Sequence, residues 1–274
     1  MHAVAAEAVE RGEYIFNAAG CGGCHTDIKA KGPVLAGGRE LATPFGNFYS
    51  PNITPDPIHG IGSWSLADFT KALRQGKSAN GTLYFPSFPY PSFTRMSDAD
   101  ISDLWTYMLA RPTVAQVNEP HQLPFPFNLR ILMHVWRGLF FDEGPFSLDD
   151  TKSANWNRGA YLVRALTHCG ECHTPRNLLG AVDPQRELGG NPLGADGKSV
   201  PNITPGNLTG IGAWSEVEIV DYLSIGMSPD GDFAGGAMTE VINQSTSKLT
   251  DADRQAIAVY LKALPAVRLE PKKP

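Results

Sequence analysis

Cysteine and histidine come together twice in this chain, as Cys21-Gly22-Gly23-Cys24-His25 and as Cys169-Gly170-Glu171-Cys172-His173. The two frames use all 4 cysteines of the chain. Two thiols separated by two residues on one turn reach the two vinyl groups of a porphyrin as thioethers. The imidazole beside the second thiol then falls under the iron as proximal ligand, so C-x-x-C-H is the attachment signature of c-type haem. Zinc would want the two cysteine pairs about 12–20 residues apart. Here 144 residues lie between Cys24 and Cys169, and zinc gives no reason for a histidine after both pairs. A thioredoxin-like dithiol would need a βαβ setting, whereas these motifs follow helix-like segments. The expected cofactors are therefore two covalently attached haems c, held by Cys21, Cys24, Cys169 and Cys172, with His25 and His173 on the irons. Haem c is attached outside the cytoplasm, so a periplasmic mature chain with its signal peptide removed is expected. The opening MHAVAAEAVE lacks the basic and long apolar regions of such a signal.

A repeat organises the elements that must position these groups. Pro51-Asn52-Ile53-Thr54-Pro55 recurs as Pro201-Asn202-Ile203-Thr204-Pro205, and Gly60-Ile61-Gly62-Ser63-Trp64-Ser65 as Gly210-Ile211-Gly212-Ala213-Trp214-Ser215. The shift is 150 residues here and 148 at the haem motifs, which implies a small loop difference between them. Within each unit the pattern predicts short helices. Ala5–Asn17 and Ala154–Leu166 lead into the motifs. Ser65 with Asp68, and Ser215 with Glu218, read as N-terminal caps, and Gly76 stops the first of those helices. Ser97 caps a last helix whose Ile101, Leu104, Trp105 and Met108 form an apolar stripe ended by Pro112; Thr250 caps its counterpart with Ile257, Leu261 and Leu264 inward, closed by Pro265. Tyr14 and Tyr161 read as core. The fold class is all-α, each unit being a few short helices wrapped around one haem.

The domain reading is 1–115 for the first haem, 116–151 for a connector rich in Pro and aromatics, and 152–274 for the second haem. The length of 274 residues suits two domains of about 100–150 residues each. Unlike a Gly/Ser linker, the connector should pack across the domain interface or offer a docking face. Apolar residues at 42% are enough for a core, and a net charge of −5 carries no footprint for nucleic acid. No run approaches the about 18 apolar residues of a membrane span.

These residues resemble the cytochrome c subunits of bacterial membrane-associated dehydrogenases, those serving alcohol, gluconate, fructose and some molybdenum-dependent aldehyde or N-heterocycle oxidising enzymes. The likeness is carried by Arg11-Gly12-Glu13-Tyr14, PNIT with GIGxWS in both units, Phe85–Met96 (FPSFPYPSFTRM), Leu123–Arg130 (LPFPFNLR) and Arg158–Leu162 before HCGECHTPRN. It implies two tandem cytochrome c-type domains. It also implies a carrier fed by a dehydrogenase catalytic subunit and drained by another cytochrome, an oxidase or a quinone. Many such relatives have a third haem domain and a C-terminal membrane-binding segment. This sequence closes at Pro271-Lys272-Lys273-Pro274, so a membrane-binding segment is not expected from it, and the expected location is periplasmic, either free or peripheral on the inner membrane.

An electron-carrying haem c takes His/Met coordination, which raises its potential. Met238, in the loop before the last helix, is the sixth ligand expected for the second iron, with Met227 left to packing. At the repeat's shift Met238 corresponds to Phe88, which cannot ligate iron. Met96, just before Ser97, lies in the same pre-helix loop and matches the arginine/lysine-Met pair of the family. It is the expected first ligand, against a plain hydrophobic staple. Met108, Met133, His134, His121 and His59 read as packing or surface residues, and His168 as a group able to contact a propionate. Trp64 and Trp214 either donate their indole N–H to haem propionates or wall the pocket. Asn52 and Asn202, with Thr54 and Thr204, either satisfy loop backbone or reach the same propionates. The alternative function is a dihaem peroxidase-like enzyme with one open iron, which the missing methionine at Phe88 keeps in view. A redox sensor or structural module has nothing in its favour beyond the shared haems.

Overall fold

In the computed structural model, which describes residues 2–194, 197–206 and 209–267, the chain divides into two compact units, Met1–Phe146 and Ser147–Pro274. In the first, α1 (His2–Ala18) leads to the short α2 (Cys21–His25), followed by an antiparallel hairpin of β1 (Glu40–Thr43) and β2 (Gly46–Tyr49). Then come α3 (Leu66–Gln75), α4 (Tyr90–Phe93), α5 (Asp98–Leu109) and α6 (Leu132–Phe140). The second unit repeats the helical part: α7 (Ala154–Tyr161), α8 (Gly170–His173), α9 (Glu216–Ile225), α10 (Ala237–Gln244) and α11 (Asp251–Lys262).

Local chemistry explains where the helices start and stop. Ser65 and Ser215 each accept from the backbone three residues on, while Asp68 and Glu218 reach back to the cap nitrogen. Each reciprocal pair satisfies two otherwise orphaned N–H groups and is worth about 1 kcal/mol. Gly76 and Gly226 then turn left-handed at φ 57° and 80° and end the helices. The buried stripe Ile101, Leu104, Trp105 and Met108 lies on α5, and Ile257 and Leu261 on α11.

In each unit the first helix crosses the last at a glycine. A Cβ on Gly12 would lie 2.1 Å from the Asp103 carbonyl oxygen of α5, and one on Gly159 would lie 2.0 Å from that of Ala256 on α11. Only a residue without a side chain permits that approach. Arg11 on Asp103 at 2.7 Å and Arg158 on Asp253 at 2.6 Å clamp the two crossings.

Four features add to the sequence reading. The expected helical fold carries one small two-stranded hairpin, which pairs Glu40–Thr43 with Gly46–Tyr49. The short α4, α6 and α10 are additional. The helix expected over Ala154–Leu166 is α only to Tyr161 and continues as a π-helix over Leu162–Leu166. Ten positions separate Arg11 from Cys21 but eleven separate Arg158 from Cys169, so the π turn absorbs one extra residue. Finally, the first unit runs to Phe146 and takes in most of residues 116–151. Gln122 exchanges two backbone bonds with Asn47 of β2 (2.8 and 3.0 Å), Arg130 donates to the Leu83 carbonyl at 2.7 Å, and the Phe146 N–H donates to the Arg95 carbonyl at 3.0 Å. The outward face of this segment, with Phe125, Ile131, Val135 and Leu139, is exposed.

Candidate haem-attachment sites

The short α2 places both thiols and the imidazole on little more than one turn, and α8 with Cys169 just before it does the same. Nδ1 of His25 lies 2.8 Å from the Pro51 carbonyl oxygen, and Nδ1 of His173 lies 2.8 Å from that of Pro201. A carbonyl only accepts, so Nδ1 carries the proton and Nε2 keeps its lone pair for a metal. Burial lowers the pKa of both histidines, against the pull of the proline carbonyl, and so favours the neutral, ligating imidazole. Burial, with Cys24 adding to it, pushes the Cys21 thiol up to about 12, and burial raises Cys169 as well.

The loops behind each turn repeat the same bonds. His25 and His173 carbonyls accept from Gly37 and Gly190 at 2.9 and 2.7 Å. Thr26 and Thr174 accept through Oγ1 from the Leu35 and Leu188 N–H groups at 3.1 and 3.0 Å. Those leucines sit at φ 64° and 60°. A left-handed bulky residue is unfavourable, and finding it at the same place in both units marks a backbone held by its surroundings. Each haem turn is also tied by an arginine, though from different positions. Arg39 donates to the Gly23 carbonyl, and Arg176 donates to that of Glu171 at 2.8 Å. Sequence reading missed these groups, although Leu-x-Gly after each motif and the shared threonine were visible signals.

Asn52 and Asn202 both bond to loop backbone, the first of the two roles expected of them. Both are buried, and their amides are saturated within the protein. Asn52 donates to the Val114 and Gln116 carbonyls (2.7 and 3.1 Å) and accepts from the N–H and hydroxyl of Thr54 (2.9 and 2.7 Å). Asn202 donates to Val267 and Thr209 (2.9 and 3.2 Å) and accepts twice from Thr204 (2.8 and 2.7 Å). Val114 and Val267 return an N–H to the threonine hydroxyls at 3.2 and 3.0 Å. The PNIT loop therefore aims a proline carbonyl at the histidine and fastens the chain that leaves the last helix.

Trp64 and Trp214 are half-buried on the turn before α3 and α9, and their indole N–H groups meet no acceptor among the described residues. Trp214 packs edge-on to Tyr222 at 5.4 Å. Met238 is half-buried and stands in the first turn of α10 rather than in a loop. Met96 is fully buried directly before the Ser97 cap, with the buried Ile101 four positions into the helix, which is the arrangement of a hydrophobic staple. Phe88 belongs to an aromatic cluster, 5.7 Å from both Tyr84 and Phe93.

Two thiols and an oriented, neutral imidazole on one turn fit a covalently held haem, and the arrangement occurs twice. The fold and sites thus define a protein carrying two haems c, each in its own cytochrome c-type unit. Comparison with known proteins gives the same class. The cytochrome c family profile matches residues 9–111. A dihaem cytochrome c-type protein of Cereibacter sphaeroides is 47% identical over 261 residues, covering 94% of this chain and 86% of its own. The fructose dehydrogenase cytochrome subunit of Gluconobacter japonicus is 42% identical over 260 residues, and the gluconate 2-dehydrogenase cytochrome c subunit of Pantoea cypripedii 40% over 272. The chain spans 53% and 60% of the length of those two relatives. It belongs to the dihaem c-type cytochromes, homologous to cytochrome c subunits of dehydrogenases.

Proposed function

We propose that this cytochrome passes electrons in the periplasm from the catalytic subunit of a dehydrogenase to a downstream acceptor, another cytochrome, an oxidase or a quinone. The observation that carries the reading is the doubled haem turn with its proline-oriented imidazole, in a chain whose relatives are electron-carrying subunits. Bound haem supplies one-electron iron chemistry, and the chain's own groups govern how easily the iron is reduced. His25 and His173, each donating Nδ1–H to a carbonyl, present a basic and fixed Nε2. Met238 and Met96 are proposed as sixth ligands, and the free indole N–H groups of Trp64 and Trp214 are suited to haem propionates. Among the described residues no helix is long and apolar enough to cross a membrane. The exposed apolar face of residues 125–139 supports stable docking to a partner subunit over brief encounters, which rely on smaller contacts.

An optical redox titration of the haem-loaded protein tests the reading. Two reversible one-electron steps are expected, and Met238→Ala should lower one potential while leaving the other in place. Equal shifts in both would contradict independent units. Steady turnover of hydrogen peroxide by a high-spin iron would replace the carrier with the peroxidase-like enzyme.

A further inference from the structure

The two units treat the end of their third helix differently. In the first, Tyr90 lies on Gly76, where a Cβ would meet the tyrosine ring at 2.6 Å. Phe141 packs edge-on to Tyr90 at 5.0 Å, and the Arg137 guanidinium lies 4.3 Å over Phe141 while donating to the last carbonyl of α3, that of Gln75. Arg130 covers the neighbouring Leu83 carbonyl and sits 4.7 Å over the Phe85 ring. A segment bearing two arginines and an aromatic ring therefore seals this end of the unit.

Among the described residues, no such segment covers the equivalent surface of the second unit. The nearest side chains to a Cβ on Gly226 would be Ala234 and Ile242, each at 3.4 Å, in place of the tyrosine ring at 2.6 Å in the first unit. A half-open pocket of about 100 Å³ remains there, lined by Ile225, Gly226, Phe233, Ala234, Thr239 and Ile242. The counterpart of Leu83, which is 5% exposed, is Phe233 at 70%, and Ile225 is 58% exposed. The Ile225 and Phe233 carbonyls, equivalent to those of Gln75 and Leu83, have no donor among the described residues. Charge changes with exposure. Lys71, Asn80 and Thr82 of the first unit become Asp221, Asp230 and Asp232. Ser228 donates to Asp230 and holds its carboxyl below the usual range, so it is ionised at neutral pH.

We propose that the open end of α9 is the docking site for a basic, aromatic segment of a partner polypeptide, seated as residues 130–141 seat on the first unit. One ring fills the cavity over Gly226, and an arginine caps the Ile225 or Phe233 carbonyl within reach of Asp230 and Asp232. Buried apolar anchors with a complementary charged rim are how such interfaces gain affinity and register. The proposal concerns assembly and goes beyond the electron-carrier reading.

The test uses the full haem-loaded chain and a fluorescein-labelled peptide of its own residues 128–146 as probe, followed by anisotropy. Saturable binding that weakens with salt is expected. Thr239→Phe, which fills the cavity from an exposed position, should weaken it at least tenfold, and Asp232→Lys should weaken it and flatten the salt dependence. Haem absorption unchanged in both variants shows that the fold is kept. Absence of saturable binding overturns the proposal, as does binding indifferent to both variants. Self-association of the unlabelled protein that Thr239→Phe abolishes would overturn it in favour of a second copy of this chain.

Discussion

At the scale of residues, each iron site rests on a few polar contacts made by groups far apart in the chain. The Pro51 and Pro201 carbonyls fix the imidazoles, and Arg39 and Arg176 fix the turns that carry the thiols. Methionine is where the two sites part. Met238 has accessible surface, whereas Met96 has 0% and sits where a staple would. A volume-conserving change separates ligation from packing. Met96→Leu should cost less than about 1.5 kcal/mol of stability, yet convert the first ferric haem from low to high spin if its sulfur ligates. Electron paramagnetic resonance beside a thermal melt reads both. An unchanged low-spin signal would leave Met96 the staple alone. Met96→Ala should in either case destabilise by about 2–5 kcal/mol, because it opens a cavity under α5.

At the scale of elements, the glycine crossings set how closely the first and last helices approach. A methyl at Gly12 or Gly159 would overlap a backbone carbonyl by more than a side chain can relieve. Gly12→Ala and Gly159→Ala should each cost about 1–3 kcal/mol, measured as a lower midpoint of denaturant unfolding. Destabilisation confined to the unit carrying the change would show that the two fold separately. The π turn at Leu162–Leu166 belongs to the same level. One extra residue between Gly159 and Cys169 would rotate the haem turn by about 100° on a regular helix; the wider turn takes up the residue and lets crossing and motif both stay in place.

At the scale of the whole molecule, residues 116–146 act as part of the first unit. His121 accepts from the Tyr49 N–H at 3.2 Å and packs edge-on to Phe48 and Phe85. Arg137 closes the end of α3. Arg137→Met keeps the length of the side chain but removes its hydrogen bond and its contacts with Phe141 and Tyr90. Loss of about 1.5–3 kcal/mol is expected, as for a hydrogen bond to a charged group, with faster proteolysis between residues 130 and 146. Equal cleavage of variant and parent would mean that the segment is held by its apolar contacts alone.

What the sequence determined by itself is the chemistry that depends on near neighbours. The haem motifs, the Ser65 and Ser215 capping boxes, the glycine stops and the 150-residue repeat are patterns within a few positions, and the same local rules act on them in any surroundings. The PNIT repeat was visible too, but not its role. Its asparagine suits a propionate and loop backbone equally in the sequence, and the fold brings the Val114 and Val267 carbonyls of the chain leaving α5 and α11 to its amide. Tertiary structure alone decided which carbonyls face the histidines, which arginines tie the turns, where residues 116–146 lie and which end of which unit stays open. Those outcomes depend on segments tens of residues apart meeting in space, where burial and competition for hydrogen bonds choose among conformations that local preference leaves nearly equal.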